Sequence, residues 1–250
     1  MRVWLKKEEI DESALVGSTA VVMDVCLATT TLLKIVEGGP RRVIPAGSLE
    51  EARRLADELD SPELLTGGEE EGFRVEDFHC GPFPDEYPPE KVKGKDVVYL
   101  TTNGTRAIYR ARSADELLIA CLRNAPAVAR YLQKVKTETV RLICASSHGK
   151  ISLEDVLCAA IILSEMDLSG WELDDTAILL RDWGGRVREE IPRVLKKGRV
   201  GRWFEREGKE HALCYAGEVG ASDTLVVFKS GQLVPLDRES TATEDGRICR

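Results

Sequence analysis

The sequence predicts an α/β fold, layered as α/β/α around a mixed or mainly parallel sheet. Two observations carry this reading. Short apolar runs alternate with helical patterns along most of the 250 residues, the β-then-α alternation that builds such layers. In addition, three apolar runs empty into turns of small and hydroxyl-bearing residues that lead into helical patterns, at 24–31, 101–107 and 145–155. Ligands of α/β sheets bind outside the carboxyl ends of strands, so these turns are expected to form one shared site at one edge of a sheet.

The elements follow in order. Residues 20–25 read as a strand, 30–37 as a helix and 42–44 as a second short strand. Ser48 followed by Leu49, Glu50 and Glu51 is an N-cap with an acidic first turn, and Leu49, Ala52, Leu55, Ala56 and Leu59 share one helical face. A strand is expected at 64–66, then a long Gly-, Pro- and Glu-rich connection over 67–89, whose length marks it as functional or mobile. Strands are expected at 97–100, 116–119 and 140–144, with helices at 104–110 and 126–134; Pro126 suits the first turn of the latter. Ser152 caps a helix to about 166, with Glu154 and Asp155 favoured in its first turn by the helix dipole. Beyond Trp171 the pattern changes to a helix near 176–183, Arg/Lys-rich turns, a charged linker at 204–210, a closing hairpin from 224–228 and 233–235, and a frayed polar tail from Ser240. The expected organisation is a single domain over 1–250, or two lobes with a C-terminal part from about 171.

Composition narrows the function. Hydrophobic residues make up 43% and charged residues 31%, as in a soluble globular protein. No apolar run approaches the roughly 20 residues of a membrane span, and the first residues have no apolar segment of a secretory signal, so a cytoplasmic protein without membrane partners is expected. The net charge of −8 disfavours nucleic acid as a partner but leaves room for a small anionic substrate. Seven cysteines without a CxxC pair argue against a zinc ribbon or a thioredoxin-like motif.

Several residues suit phosphate chemistry. Asp24 ends a strand, where a carboxylate reaches a metal held outside the sheet. Thr29, Thr30, Asn103, Gly104, Thr105 and Arg106 are candidate substrate-binding residues, although Thr and Asn fill caps and turns routinely. His148 is a candidate proton donor to a leaving alkoxide, and Glu154 a second catalytic carboxylate, against the plainer reading of a loop histidine and a helix-capping acid.

Taken together, Asp24-Val25 with Ala28-Thr29-Thr30-Thr31, the run from Thr101 to Ala107, and Cys144-Ala145 with Gly149 and Ser152-Leu153-Glu154-Asp155 resemble the 2-phosphosulfolactate phosphatase family. The resemblance spans about 21–223 and implies an α/β fold and magnesium-dependent hydrolysis of 2-phosphosulfolactate to sulfolactate and phosphate, a step in coenzyme M biosynthesis. It also implies metal ligation by Asp24, Glu69 and Asp155. A homodimer is compatible with it. The chain departs from the family at Leu27, where an arginine is usual, at Glu70, where Gly-Glu-Arg is usual, and at Pro82, where a polar turn is usual. Two expectations follow: a magnesium-dependent phosphatase with cations such as Arg106, Arg123 or Lys150 taking over, or a catalytically impaired relative that binds anions or partners.

Overall fold

A computed structural model describes residues 1–59 and 61–236; the expected tail from Ser240 lies outside the described residues. The chain opens with β1 (Arg2–Trp4), α1 (Glu12–Leu15), β2 (Ser18–Met23) and α2 (Ala28–Glu37). It continues through β3 (Arg42–Ala46), α3 (Leu49–Leu59), β4 (Leu64–Glu70), β5 (Phe73–Arg74) and α4 (Pro89–Val92). Next come β6 (Asp96–Leu100), α5 (Gly104–Arg110), β7 (Glu116–Ala120), α6 (Ala125–Leu132), β8 (Thr139–Cys144) and α7 (Leu153–Ser164). The last part is helical, α8 (Asp175–Val187), α9 (Ile191–Lys197), α10 (Arg199–Arg206) and α11 (Glu210–Ala216), before the hairpin β9 (Val226–Lys229) and β10 (Gln232–Pro235).

The architecture is layered α/β, built on two sheets. One has the order β1-β8-β2-β7-β9-β10 and the other β3-β6-β4-β5. Within the first, β1, β8, β2 and β7 are parallel and the closing hairpin is antiparallel. Within the second, β3, β6 and β4 are parallel and β5 turns back on β4. The central strands β2 and β6 are buried at every position, as strands covered on both faces must be. Pro45 sits in β3 at a sheet edge, where a missing N–H costs no ladder bond. Among the described residues no helix is long and apolar enough to cross a membrane.

Four expectations change. The three polar strand ends do not share one sheet: β2 and β8 belong to the first and β6 to the second. The connection 67–89 is partly strand, because Gly67 and Gly68 continue β4 against β6. A Cβ on Gly68, at φ +120, would fall 1.8 Å from the Leu100 carbonyl oxygen, so only glycine lets the two backbones approach. The stretch 204–210 is the end of α10 and the start of α11, not a linker; α10 buries only Gly201 and Phe204, too little apolar surface to announce a helix. The Arg/Lys-rich turns are α9 and α10 themselves, and β1 carries no signal at three residues.

Candidate active site

The β2–α2 and β6–α5 turns close in the same way. Strand-end backbone groups without ladder partners must be satisfied locally, and a hydroxyl a few residues on is suited to it. The Thr29 hydroxyl donates to the Asp24 carbonyl at 2.8 Å and accepts from the Asp24 N–H at 3.1 Å. The Thr105 hydroxyl does the same for Thr101, both at 2.9 Å. Thr30 donates to the Val25 carbonyl at 2.7 Å. Thr29, Thr30 and Thr105 are all fully buried. Their hydroxyls thus shape the turns and face the protein interior.

The two turns press together at one point. A Cβ on Gly104 would lie 2.4 Å from the Ala28 Cβ and 2.7 Å from Asp24 Oδ2. Glu69, near the end of β4, joins them from the second sheet: Oε1 accepts from the Thr102 N–H at 2.7 Å, and Oε2 from the Thr102 hydroxyl at 2.8 Å and the Gly72 N–H at 2.6 Å. Asp155, in the first turn of α7, spans β2 and β8, accepting from the Val25 N–H at 2.8 Å and the Ser146 N–H at 3.2 Å. Both of its oxygens are therefore used to hold strand ends in place. Glu154 is buried beside it.

These carboxylates burden one another. Burial first, then the charges of Glu69 and Glu154, push the Asp24 carboxyl up to about 7, against the pull of the Lys7 ammonium and the Ala28 amide. Burial likewise raises Glu154, with its own amide, Arg199 and Ser152 opposing. Asp155 is raised well above the usual range by burial and by the charges of Asp24 and Glu154. Among the described residues no group of three or more His, Cys, Asp and Glu side chains is assembled to hold a metal; one or two carboxylates are the usual protein share for magnesium.

Lys7 is the site residue the sequence did not reveal. It stands on a short 3-10 turn, Lys7–Glu9, after β1, and its Nζ donates to Asn103 Oδ1 at 2.9 Å and to the Ala145 carbonyl at 3.5 Å. No strand-end motif surrounds it, and only the fold brings it there. The bond fixes the Asn103 amide so that its NH2 group is the end left to donate. Arg106 is paired with Glu70 at 2.9 Å. His148 lies on an exposed turn whose flanking Ser147 and Lys150 bond each other's backbones at 3.1 and 3.0 Å. Leu27 is packed into the core, and the Pro82 carbonyl accepts from Thr31 at 2.7 Å and Tyr99 at 3.1 Å.

Comparison with known proteins finds relatives over most of the chain. The chain matches the family described as 2-phosphosulpholactate phosphatase over residues 4–231. A protein of Symbiobacterium thermophilum is 37% identical over 225 residues, covering 89% of this chain and 96% of its own. One from Caldanaerobacter subterraneus subsp. tengcongensis is 39% identical over 223 residues, covering 89% and 92%, and one from Clostridium perfringens 34% over 234 residues, covering 92% and 94%. All three carry the name probable 2-phosphosulfolactate phosphatase. With the polar strand ends, the buried carboxylates and a match over nearly the whole described chain, the protein belongs to the 2-phosphosulfolactate phosphatase family.

Proposed function

We propose that the chain is a magnesium-dependent phosphatase that hydrolyses 2-phosphosulfolactate to sulfolactate and phosphate. The observation that supports this most is Asp24 itself, a buried strand-end carboxylate pushed up to about 7 by burial and by Glu69 and Glu154. Hard oxygen donors crowded with like charge are a fitting donor set for magnesium. Asp24 and a second carboxylate, Glu69 or Asp155, would hold it, each of these two also accepting bonds from the turns around the site. When bound, magnesium supplies neutralisation of phosphate charge and polarises the transferred group. The Asn103 amide, aimed by Lys7, donates to an oxygen of the substrate. The N-termini of α2 and α7 add favourable dipoles for an anion.

The test is phosphate release from 2-phosphosulfolactate with magnesium and then with EDTA, beside a panel of other phosphate monoesters. Metal-dependent release from the sulfonated ester is expected. Asp24→Asn is expected to lower kcat by roughly 100-fold or more, a loss on the scale of removing a group that stabilises transition-state charge, while far-UV circular dichroism stays unchanged. A fully active Asp24→Asn would remove Asp24 from the chemistry. A second reading, a relative that binds anions without turnover, is favoured by the Glu70–Arg106 pair, which neutralises a cation beside the site. Folded protein that releases phosphate from no ester would select it.

A further inference from the structure

The N-terminal turn places a carboxylate of the protein's own against two donors beside the candidate site. Glu8 bridges two donors: Oε1 lies 3.2 Å from the Lys7 Nζ, and Oε2 accepts from the Ser146 hydroxyl at 3.2 Å. Both distances are long for charge-assisted bonds, which are strongest near 2.7–2.9 Å. The Glu8 side chain is 44% exposed, whereas that of Lys7 is only 14% exposed. Glu8 can therefore rehydrate as it rotates away, and the cost of parting falls on Lys7, where a substrate anion offsets it.

Neither donor depends on Glu8 for its position. Lys7 is anchored by Asn103 at 2.9 Å and by the Ala145 carbonyl at 3.5 Å. Ser146 is buried and held through its backbone N–H, which donates to Asp155 at 3.2 Å. If Glu8 swings away, the hydrogen-bond acceptors left to this largely buried ammonium, Asn103 and the Ala145 carbonyl, are neutral, and a replacement anion restores the charged contact. The location is apt as well. Asn103 precedes Gly104, which packs against Asp24 Oδ2, and the charge of Lys7 reaches the Asp24 carboxyl.

We infer that Lys7 and Ser146 form an oxyanion subsite for the acid group of the substrate, a carboxylate or sulfonate, which Glu8 occupies until substrate displaces it. Glu8 is then a built-in competitor, and Lys7 a specificity-determining residue for small esters that carry a second acid group. The inference rests on the phosphatase reading for the identity of the substrate, but the subsite can be measured without turnover.

The experiment titrates inorganic sulfate into the wild-type protein, Lys7→Met, Lys7→Arg and Glu8→Gln by calorimetry at low ionic strength, with KM for 2-phosphosulfolactate measured alongside. Glu8→Gln is expected to bind sulfate more tightly than wild type and to lower KM. Lys7→Met is expected to bind sulfate roughly 10- to 100-fold more weakly, the span of one hydrogen bond to a charged group, with Lys7→Arg close to wild type. Acetate and methanesulfonate titrations assign the subsite to carboxylate or to sulfonate. Sulfate affinity and KM that are the same in Glu8→Gln and wild type would overturn the inference, even if Lys7→Met failed to fold. Turnover without these shifts sinks the subsite alone. Shifts in sulfate affinity without turnover of any ester keep the subsite and sink the phosphatase reading.

Discussion

Gly104 has no room for a side chain because the space beside it is taken by Asp24 and Ala28. A methyl group there would meet Asp24 Oδ2 at 2.7 Å and the Ala28 Cβ at 2.4 Å, contacts that force one turn to move. The cost is that of overpacking, about 1–3 kcal/mol, and the atom displaced is the carboxylate on which the proposed chemistry depends. Gly104→Ala is therefore expected to lower stability by that amount in urea unfolding and to lower kcat as well. A variant with the expected loss of stability but wild-type kcat would separate the glycine from the chemistry. Gly104 entered the sequence reading as a candidate substrate-binding residue; in the fold the close approach it permits is between two turns of the protein. Residue identity was legible in the motif, but the partner of the close contact was not, because it comes from a strand of the other sheet.

Between elements, the start of β6 carries the clearest charge arrangement. Asp96 is fully buried and accepts from Arg41 Nε at 2.8 Å and from Arg42 Nε and Nη2 at 2.7 and 2.8 Å, joining β6 to the entry of β3. These hydrogen bonds hold the Asp96 carboxyl well below the usual carboxylate range, against the effect of burial. A depressed folded value stabilises the protein fully above the unfolded value, near 4, and the contribution is lost as pH falls toward the folded one. Asp96→Asn is expected to cost about 1.5–3 kcal/mol at neutral pH, as hydrogen bonds to charged groups do, and to flatten the loss of stability below about pH 4. Urea midpoints across pH 2–7 check both. An acid limb unchanged in the variant would show that other carboxylates govern it. Helix α3, with its Ser48 cap and regular apolar spacing, and the hairpin β9–β10 were legible because local pattern and burial agree there. Helix α10 was not, since its main contacts are with α9 and α11 and it buries only Gly201 and Phe204. The same holds for Lys7, whose role comes from a three-residue strand and a short turn with no periodicity to read.

At the scale of the whole molecule, the C-terminal helices are bound into the first sheet by several independent ties. Asp174 accepts from the Val3 N–H at 2.9 Å and also caps α8 through the Ala177 N–H at 2.7 Å, linking β1 to the start of that helix. Helix α8 then runs against α7 so closely that a Cβ on Gly184 would fall 2.1 Å from the Ala160 carbonyl oxygen. One apolar cluster includes Val3, Leu142, Ile161, Leu180, Phe204 and Val226, so the helices beyond 171 share their core with the strands that end at the candidate site. A shared core makes partial unfolding expensive, because releasing α8 exposes the faces of α7 and β1 together. Scanning calorimetry is expected to show one cooperative transition for the described fold, and Gly184→Leu to move that transition down in temperature without splitting it. A separate early transition that carries much of the helical signal would instead divide the chain near 171. In that event α7, whose first turn holds Glu154 and Asp155 at the site, would remain with the sheet while its cover opened independently.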